Sequence, residues 1–258
     1  MNSFDHPINA VVQGASRGLG LALVEQLLNS DQLAGLVATC RRPRQADELQ
    51  ALAQRAEGRL AVTGLDVTDE EQIAEAAAFT AEQFDELHLL FNVAGILHDE
   101  TRDIFPEKKL DDVQPASAMY NFRVNALGPL LVMKHFVGLL ADDQRAVIAN
   151  ISAKVGSIGA NEMGGWYSHR GSKAAQNMFT RTAALEFKHH KKTRNAVCVG
   201  LYPGTMDTAL SAPFQTNIPK DQIFSPARAA DQLLEVIDKL DPTDSGGFFD
   251  WRGEPVQW

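Results

Sequence analysis

One pair of side chains in this chain has the types and spacing for proton transfer. The pair is His169 and Lys173, in His169-Arg170-Gly171-Ser172-Lys173. Residues four apart share a helix face, so both can address one small volume. An imidazole exchanges a proton near neutral pH, with a reference pKa of about 6.5, and so can act as a general acid. The neighbouring ammonium disfavours its cationic form. Tyr167 carries a second exchangeable proton. It lies about 200° away round a regular helix, so it joins the pair only if the helix starts after it. The residues alone leave open whether His169, Tyr167 or neither moves a proton.

A second group suits an anion. Gly14-Ala15-Ser16-Arg17-Gly18-Leu19-Gly20 lies between a β-branched apolar run, Ile8–Gln13, and a stretch with helical apolar spacing, Leu19–Leu28. Gly14, Gly18 and Gly20 let backbone approach a pyrophosphate, and the free N–H groups and positive pole of the helix favour it. Ser16, Arg17 and Leu19 complete the loop. The next strand ends Cys40-Arg41-Arg42-Pro43, where a site for NAD would tend to place an acid against the ribose 2′-hydroxyl. Arg41, Arg42 and Arg17 suit a 2′-phosphate instead. The expected cofactor is NADP(H).

The elements that must position these residues alternate. Strands are expected at Ile8–Gln13, Leu36–Thr39, Leu60–Leu65, Leu87–Val93, Ala146–Ile151, Asn195–Leu201 and Gly247–Trp251. Helices are expected at Leu19–Leu28, Ala46–Ala56, Glu70–Phe84, Ala118–Leu140, Ser168–Phe187 and Ala227–Leu240. Strict alternation with apolar strands implies α/β class: one doubly wound, Rossmann-like domain over residues 1–258, with a parallel sheet of about seven strands and helices on both faces. Two long connections, roughly 96–115 and 202–226, follow strands at the carboxyl edge, where ligands bind in this architecture. Met206, Leu210, Phe214 and Ile218 give the second an apolar character.

Composition narrows the partners. The 258 residues suit one domain, and 45% apolar content supports a full core. A formal charge of −9 argues against nucleic acid. The basic run Lys188–Arg194 reads as a solvated helix end rather than an anion-docking patch. No apolar run is long enough to span a bilayer, and the first residues lack a signal peptide's pattern. Cys40 and Cys198 sit in apolar runs and read as buried thiols. A cytoplasmic setting without membrane contact is expected, and no metal site.

Further segments carry a resemblance. Asp66-Val67 follows the third strand, Asn92-Val93-Ala94-Gly95 the fourth, and Pro203-Gly204-Thr205 the sixth, while Asn125 lies in Val124-Asn125-Ala126-Leu127-Gly128. With the glycine loop and Lys173 they resemble, in order, the motifs of the short-chain dehydrogenase/reductase family, over nearly the whole chain. Val155–Ile158, Gly164–Tyr167, Pro203–Thr208 and Gly247–Gly253 look like its C-factor branch, to which Sniffer-type carbonyl reductases look related. The resemblance implies adenine contact at Asp66 and Val67, cofactor contacts at Asn92, Ala94 and Gly95, a turn beside the nicotinamide at Pro203, Gly204 and Thr205, ribose contact at Lys173, a relay water supported by Asn125, and an oxyanion site shaped by Ser152 with Asn125. It implies hydride transfer with a small carbonyl or alcohol substrate, and a homodimer or homotetramer built on the two long helices.

Val93 stands where the family has a second Asn, and two further positions depart from the family. His169 stands where the family has its proton-handling Tyr. In Asn150-Ile151-Ser152-Ala153, strict alignment puts Ala153 at the catalytic serine. Ser152 is one residue early and serves only if the strand end bends; Ser157 is a weaker substitute. These departures leave two functions open: an oxidoreductase with an altered relay, or a cofactor-binding signalling or sensor protein that has lost turnover.

Overall fold

A computed structural model describes residues 4–258. Its main sheet has seven strands, all parallel, in the order β3-β2-β1-β4-β5-β6-β9. These are β1 (Ile8–Gln13), β2 (Leu33–Cys40), β3 (Leu60–Gly64), β4 (Leu89–Asn92), β5 (Ala146–Ile151), β6 (Ala196–Tyr202) and β9 (Phe248–Asp250). The order reverses between β1 and β4. A crevice opens at the carboxyl ends of the strands at such a switch point.

The strands are mostly apolar because both faces are covered. Val12, Ala38, Phe91, Ala149 and Val199 join one core with α1 (Gly18–Leu28), α2 (Asp47–Arg55) and α7 (Pro226–Lys239). Val11, Val37, Leu90, Ile148 and Cys198 face the other way. They pack with α3 (Glu70–Gln83), α5 (Gly128–Phe136) and α6 (Tyr167–His189). The alternation follows the strand period of two. Both cysteines are buried and unpaired, and burial pushes the Cys198 thiol up to about 12.

The long helix expected at Ala118–Leu140 is not uniform. α4 (Pro115–Phe122) passes into a π-turn at Arg123–Leu127 before α5 begins, and the path ends in a 3₁₀ turn at Val137–Leu139. In the π-turn the Gly128 N–H reaches the Arg123 carbonyl, five residues back. Pro129 follows, and without an N–H it gives no bond to the carbonyl of Asn125. Wide turns of this kind occur often at functional sites, and this one carries Asn125. The two long connections are also partly ordered. The first holds an Asp99–Ile104 bridge; the second holds a two-stranded sheet of β7 (Thr205–Met206) and β8 (Ile223–Phe224).

Candidate active site

The β1–α1 turn forms a close cradle. Gly14 has φ +90°, and a Cβ there would lie 2.7 Å from the Ala94 nitrogen. A Cβ on Gly20 would lie 2.1 Å from the Gly14 carbonyl oxygen. The turn is pinned by the Gly14 and Ala15 N–H groups, which donate to the Thr39 carbonyl at 3.0 and 2.9 Å. Arg17 precedes α1 in extended conformation, and no side chain caps the helix. Its first N–H groups are therefore available to an anion. Ser16 is half-buried, and Leu19 is buried beneath the loop. Arg17, Arg41 and Arg42 are all exposed, and among the described residues none makes an ion pair.

On the same half of the sheet, after β3, Asp66 is held by Thr68, whose N–H and hydroxyl both donate to Oδ1, at 2.9 and 2.8 Å. Its other oxygen has no such partner. Val67 is buried. Ala94 donates to the Gln13 side chain at 3.1 Å, joining the β4 turn to β1. Asn92 differs from the expectation. Its side chain is buried and donates to Asn150 Oδ1 at 2.7 Å, so it braces β4 against β5 and does not face the crevice. Pro203 and Gly204 turn the chain out of β6 into Thr205 on β7, on the same edge.

Three expected residues meet beyond the β4 turn. A Cβ on Gly95 would lie 3.3 Å from Asn125 Oδ1 and 3.7 Å from Lys173 Nζ. Lys173 donates to the Ile151 carbonyl at 2.7 Å and to Gln176 Oε1 at 2.9 Å. An ammonium has three donors, so one remains for a ligand. Burial lowers the Lys173 pKa to about 7. Asn125 is engaged at both ends of its amide. Oδ1 accepts from the Ile96 N–H at 2.7 Å, and Nδ2 donates to the Ile96 carbonyl at 2.8 Å and to Ser172 Oγ at 3.1 Å. Its side chain clamps the loop after β4 to the helices and does not line an oxyanion site.

The proton-handling expectations change with the geometry. His169 is buried, and its Nδ1 lies 2.9 Å from the Ile96 carbonyl oxygen. A carbonyl only accepts, so Nδ1 carries the hydrogen and Nε2 is left as a lone pair. Burial, then the Lys173 charge, lowers the pKa of His169 to about 3. With the hydrogen on Nδ1, the neutral ring offers Nε2 as an acceptor. Tyr167 is the first residue of α6 and is exposed. The condition for its rescue, a helix starting after it, is not met. Ser152 is buried, and its one hydroxyl hydrogen goes to Asn177 Oδ1 at 2.6 Å, so it has no donor for a substrate oxygen. Ser157 is also buried, and its oxygen accepts from the Ala160 N–H at 3.2 Å. Half-buried Ala153 begins the turn after β5.

Several contributors are invisible to spacing. An aromatic chain covers His169. The Trp166 ring lies edge-on at 6.3 Å from it, Phe214 at 5.0 Å from Trp166, and His98 at 5.9 Å from Phe214. His98 also reaches the Ala209 carbonyl at 3.1 Å, joining the two long connections across the crevice. Gln176 and Asn177 hold Lys173 and Ser152. Their positions three and four residues beyond Lys173, on its helix face, were the only signal for them.

The fold and crevice define a dinucleotide-binding oxidoreductase, and the comparisons agree. The family model for the short chain dehydrogenase matches residues 9–218. The chain belongs to the short-chain dehydrogenase/reductase family. It is 35% identical over 149 residues to the C-signal protein of Myxococcus xanthus, a match covering 58% of this chain and 83% of that protein. Its structure superposes with a TM-score of 0.85 on the NADPH-bound carbonyl reductase from chicken fatty liver, at 30% identity, covering 98% of this chain and all (100%) of that one. The carbonyl reductase Sniffer of D. melanogaster also gives 0.85, at 27% identity and the same coverages of 98% and 100%. These relatives place the chain with the C-factor and Sniffer-type members.

Proposed function

We propose that the chain is an NADP(H)-dependent oxidoreductase acting on a small carbonyl or alcohol substrate, with an altered proton relay. The observation that carries this reading is the meeting of Lys173, Asn125 and Gly95 at the switch point, beside a glycine cradle with no room for a Cβ. NADPH bound in the related carbonyl reductase adds to it. When bound, the cofactor supplies hydride exchange with the carbonyl carbon. Gly14, Ser16, Arg17, Gly18, Leu19 and Gly20 would hold the pyrophosphate, with Arg17, Arg41 and Arg42 on the 2′-phosphate. Asp66 and Val67 would flank the adenine. Ala94, Gly95, Pro203, Gly204 and Thr205 would border the nicotinamide, and Lys173 Nζ would hold its ribose.

The acid role passes from position 169 to Lys173. In reduction, the substrate oxygen needs one proton. His169 Nε2 has none to give, whereas Lys173 exchanges a proton at about 7 and has one N–H beyond the two it gives to Ile151 and Gln176. With two donors held by Ile151 and Gln176, Nζ has one N–H, and it supplies the proton when that N–H turns from the ribose to the substrate oxygen. In oxidation, neutral Lys173 takes it back. His169 Nε2 accepts a hydrogen bond from the alcohol form.

The same geometry supports a second reading. Neither Ser152 nor His169 offers a donor to a carbonyl oxygen, and that suits a protein which binds NADP(H) and senses it without turnover. The similarity to the C-signal protein accords with it. In both readings residues 1–258 act as one domain in a reducing cytoplasm, where two unpaired thiols persist. The deciding experiment runs an NADPH-binding titration beside NADPH consumption with a panel of aldehydes, ketones and quinones. Tight binding with turnover supports the enzyme. Tight binding without turnover supports the sensor.

A further inference from the structure

Entry into α6 is the most constrained stretch of backbone around the crevice. Gly164, Gly165 and Trp166 take φ of +65°, +66° and +52° in succession. Glycine adopts such angles freely, but tryptophan does so only where its surroundings hold it there. Trp166 occupies the N-cap position of α6, and its side chain caps nothing. The cap comes from Glu107, sixty-one residues before Ser168, in the connection after β4. Glu107 is buried. One carboxylate oxygen accepts from the Ser168 N–H at 3.2 Å, and the other from the Ser168 hydroxyl. The Glu107 carbonyl accepts from the Trp166 N–H, and it lies 3.2 Å from where a Cβ on Gly165 would stand. Arg170 grips the same turn from its other side, donating to the Gly165 and Gly164 carbonyls at 2.9 and 3.1 Å.

We propose that Glu107 is a positioning residue for the reaction site: its carboxylate, bound to Ser168, fixes the left-handed turn that sets the Trp166 wall and aims the His169 ring. The proposal rests on reading this crevice as the reaction site. His169 is the residue after Ser168, so a shift in that first turn moves the imidazole against the Ile96 carbonyl. Ile96 and Glu107 lie in the same connection, so this segment fixes both the ring and the turn that carries it. A carboxylate suits the task because it accepts two bonds at once and sits at the positive pole of a helix. Plain helix capping predicts only lost stability. Positioning predicts a change at His169 itself.

The test is a comparison of wild type, Glu107→Gln and Glu107→Ala by NMR with ¹⁵N-labelled histidine, the His169 signals being assigned with His169→Gln. Wild type should show a protonated Nδ1 and an unprotonated Nε2. In Glu107→Ala this single tautomer should give way to averaged signals as the bond to Ile96 loosens. Glu107→Gln keeps one acceptor and should lie between. If Glu107→Ala fails to fold, Glu107→Asp replaces it, since a carboxylate one methylene short cannot reach both Ser168 groups and should average the signals likewise. An NADPH titration should give affinities within threefold of wild type for every variant. A lower melting temperature with an unchanged His169 tautomer would overturn the proposal. Failure of turnover in all the proteins, with the tautomer still shifted in the variants, would count against the reaction and leave the positioning intact.

Discussion

Lys173 and His169 share one helix face and have opposite proton assignments, for reasons that lie in their partners. Lys173 gives up its proton at about 7, and the imidazole stays neutral down to about 3. Reductase activity should therefore fall as pH rises through about 7, as the ammonium is lost. The same falling limb should persist in His169→Gln. A limb that vanishes in this variant would return the acid role to His169. Replacing the imidazole by a phenol should restore the family's donor beside an unchanged ribose contact. His169→Tyr should thus raise activity on generic carbonyls at least tenfold, within the roughly 10²–10⁴ that general acid catalysis supplies, with little change in NADPH affinity. Stability gives an independent check. The folded pKa of His169 lies below its unfolded value of about 6.5, so the unfolded chain binds more protons between the two. That contribution is complete above about 6.5 and is lost as pH falls toward 3. The melting temperature of wild type should drop more steeply over this window than that of His169→Gln. Equal slopes would show that the ring is not buried neutral. The four-residue spacing made the pair legible in the sequence. The tautomer was not legible, because it depends on the Ile96 carbonyl, seventy-three residues away.

The elements were legible where a local pattern decides them. β1 and β5 run as their apolar residues imply, and the glycine loop joins β1 to the first turn of α1, which begins at Gly18. The π-turn at Asn125 was not legible, since it depends on Pro129 interrupting a run whose side chains are helical in spacing. Nor was the cap of α6, which comes from a distant loop. The sequence left the direction of Ser152 open for a related reason: its side chain points to α6, where the hydroxyl meets Asn177. At this scale the cradle is the element most open to test. Gly20→Ala places a methyl where the Gly14 carbonyl stands. It should weaken NADPH binding at least tenfold while far-ultraviolet circular dichroism stays unchanged. Wild-type affinity in this variant would remove the turn from the cofactor site.

Across the whole molecule, the charge of −9 and the three unpaired arginines at one edge of the sheet act together. With Arg17, Arg41 and Arg42 on the 2′-phosphate as proposed, the protein should bind NADPH at least tenfold more tightly than NADH, and Arg41→Asp should erase the preference. The outer faces of α4 and α6 leave Met119, Phe122, Met178 and Leu185 exposed, and these helices cross where Gly171 meets Phe122. A dimer or tetramer through this surface should appear in light scattering at micromolar concentration, and Met178→Asp with Leu185→Asp should lower the mass. The central claim is hydride transfer to a carbonyl carbon within this crevice, and its most direct test follows the hydride. The protein is incubated with the carbonyl panel and NADPH deuterated at C4, each epimer separately, and the alcohol products are read by mass spectrometry. The account predicts deuterium on the former carbonyl carbon from one epimer only. NADPH that binds tightly, yet yields no deuterated alcohol from either epimer with any carbonyl, would contradict it.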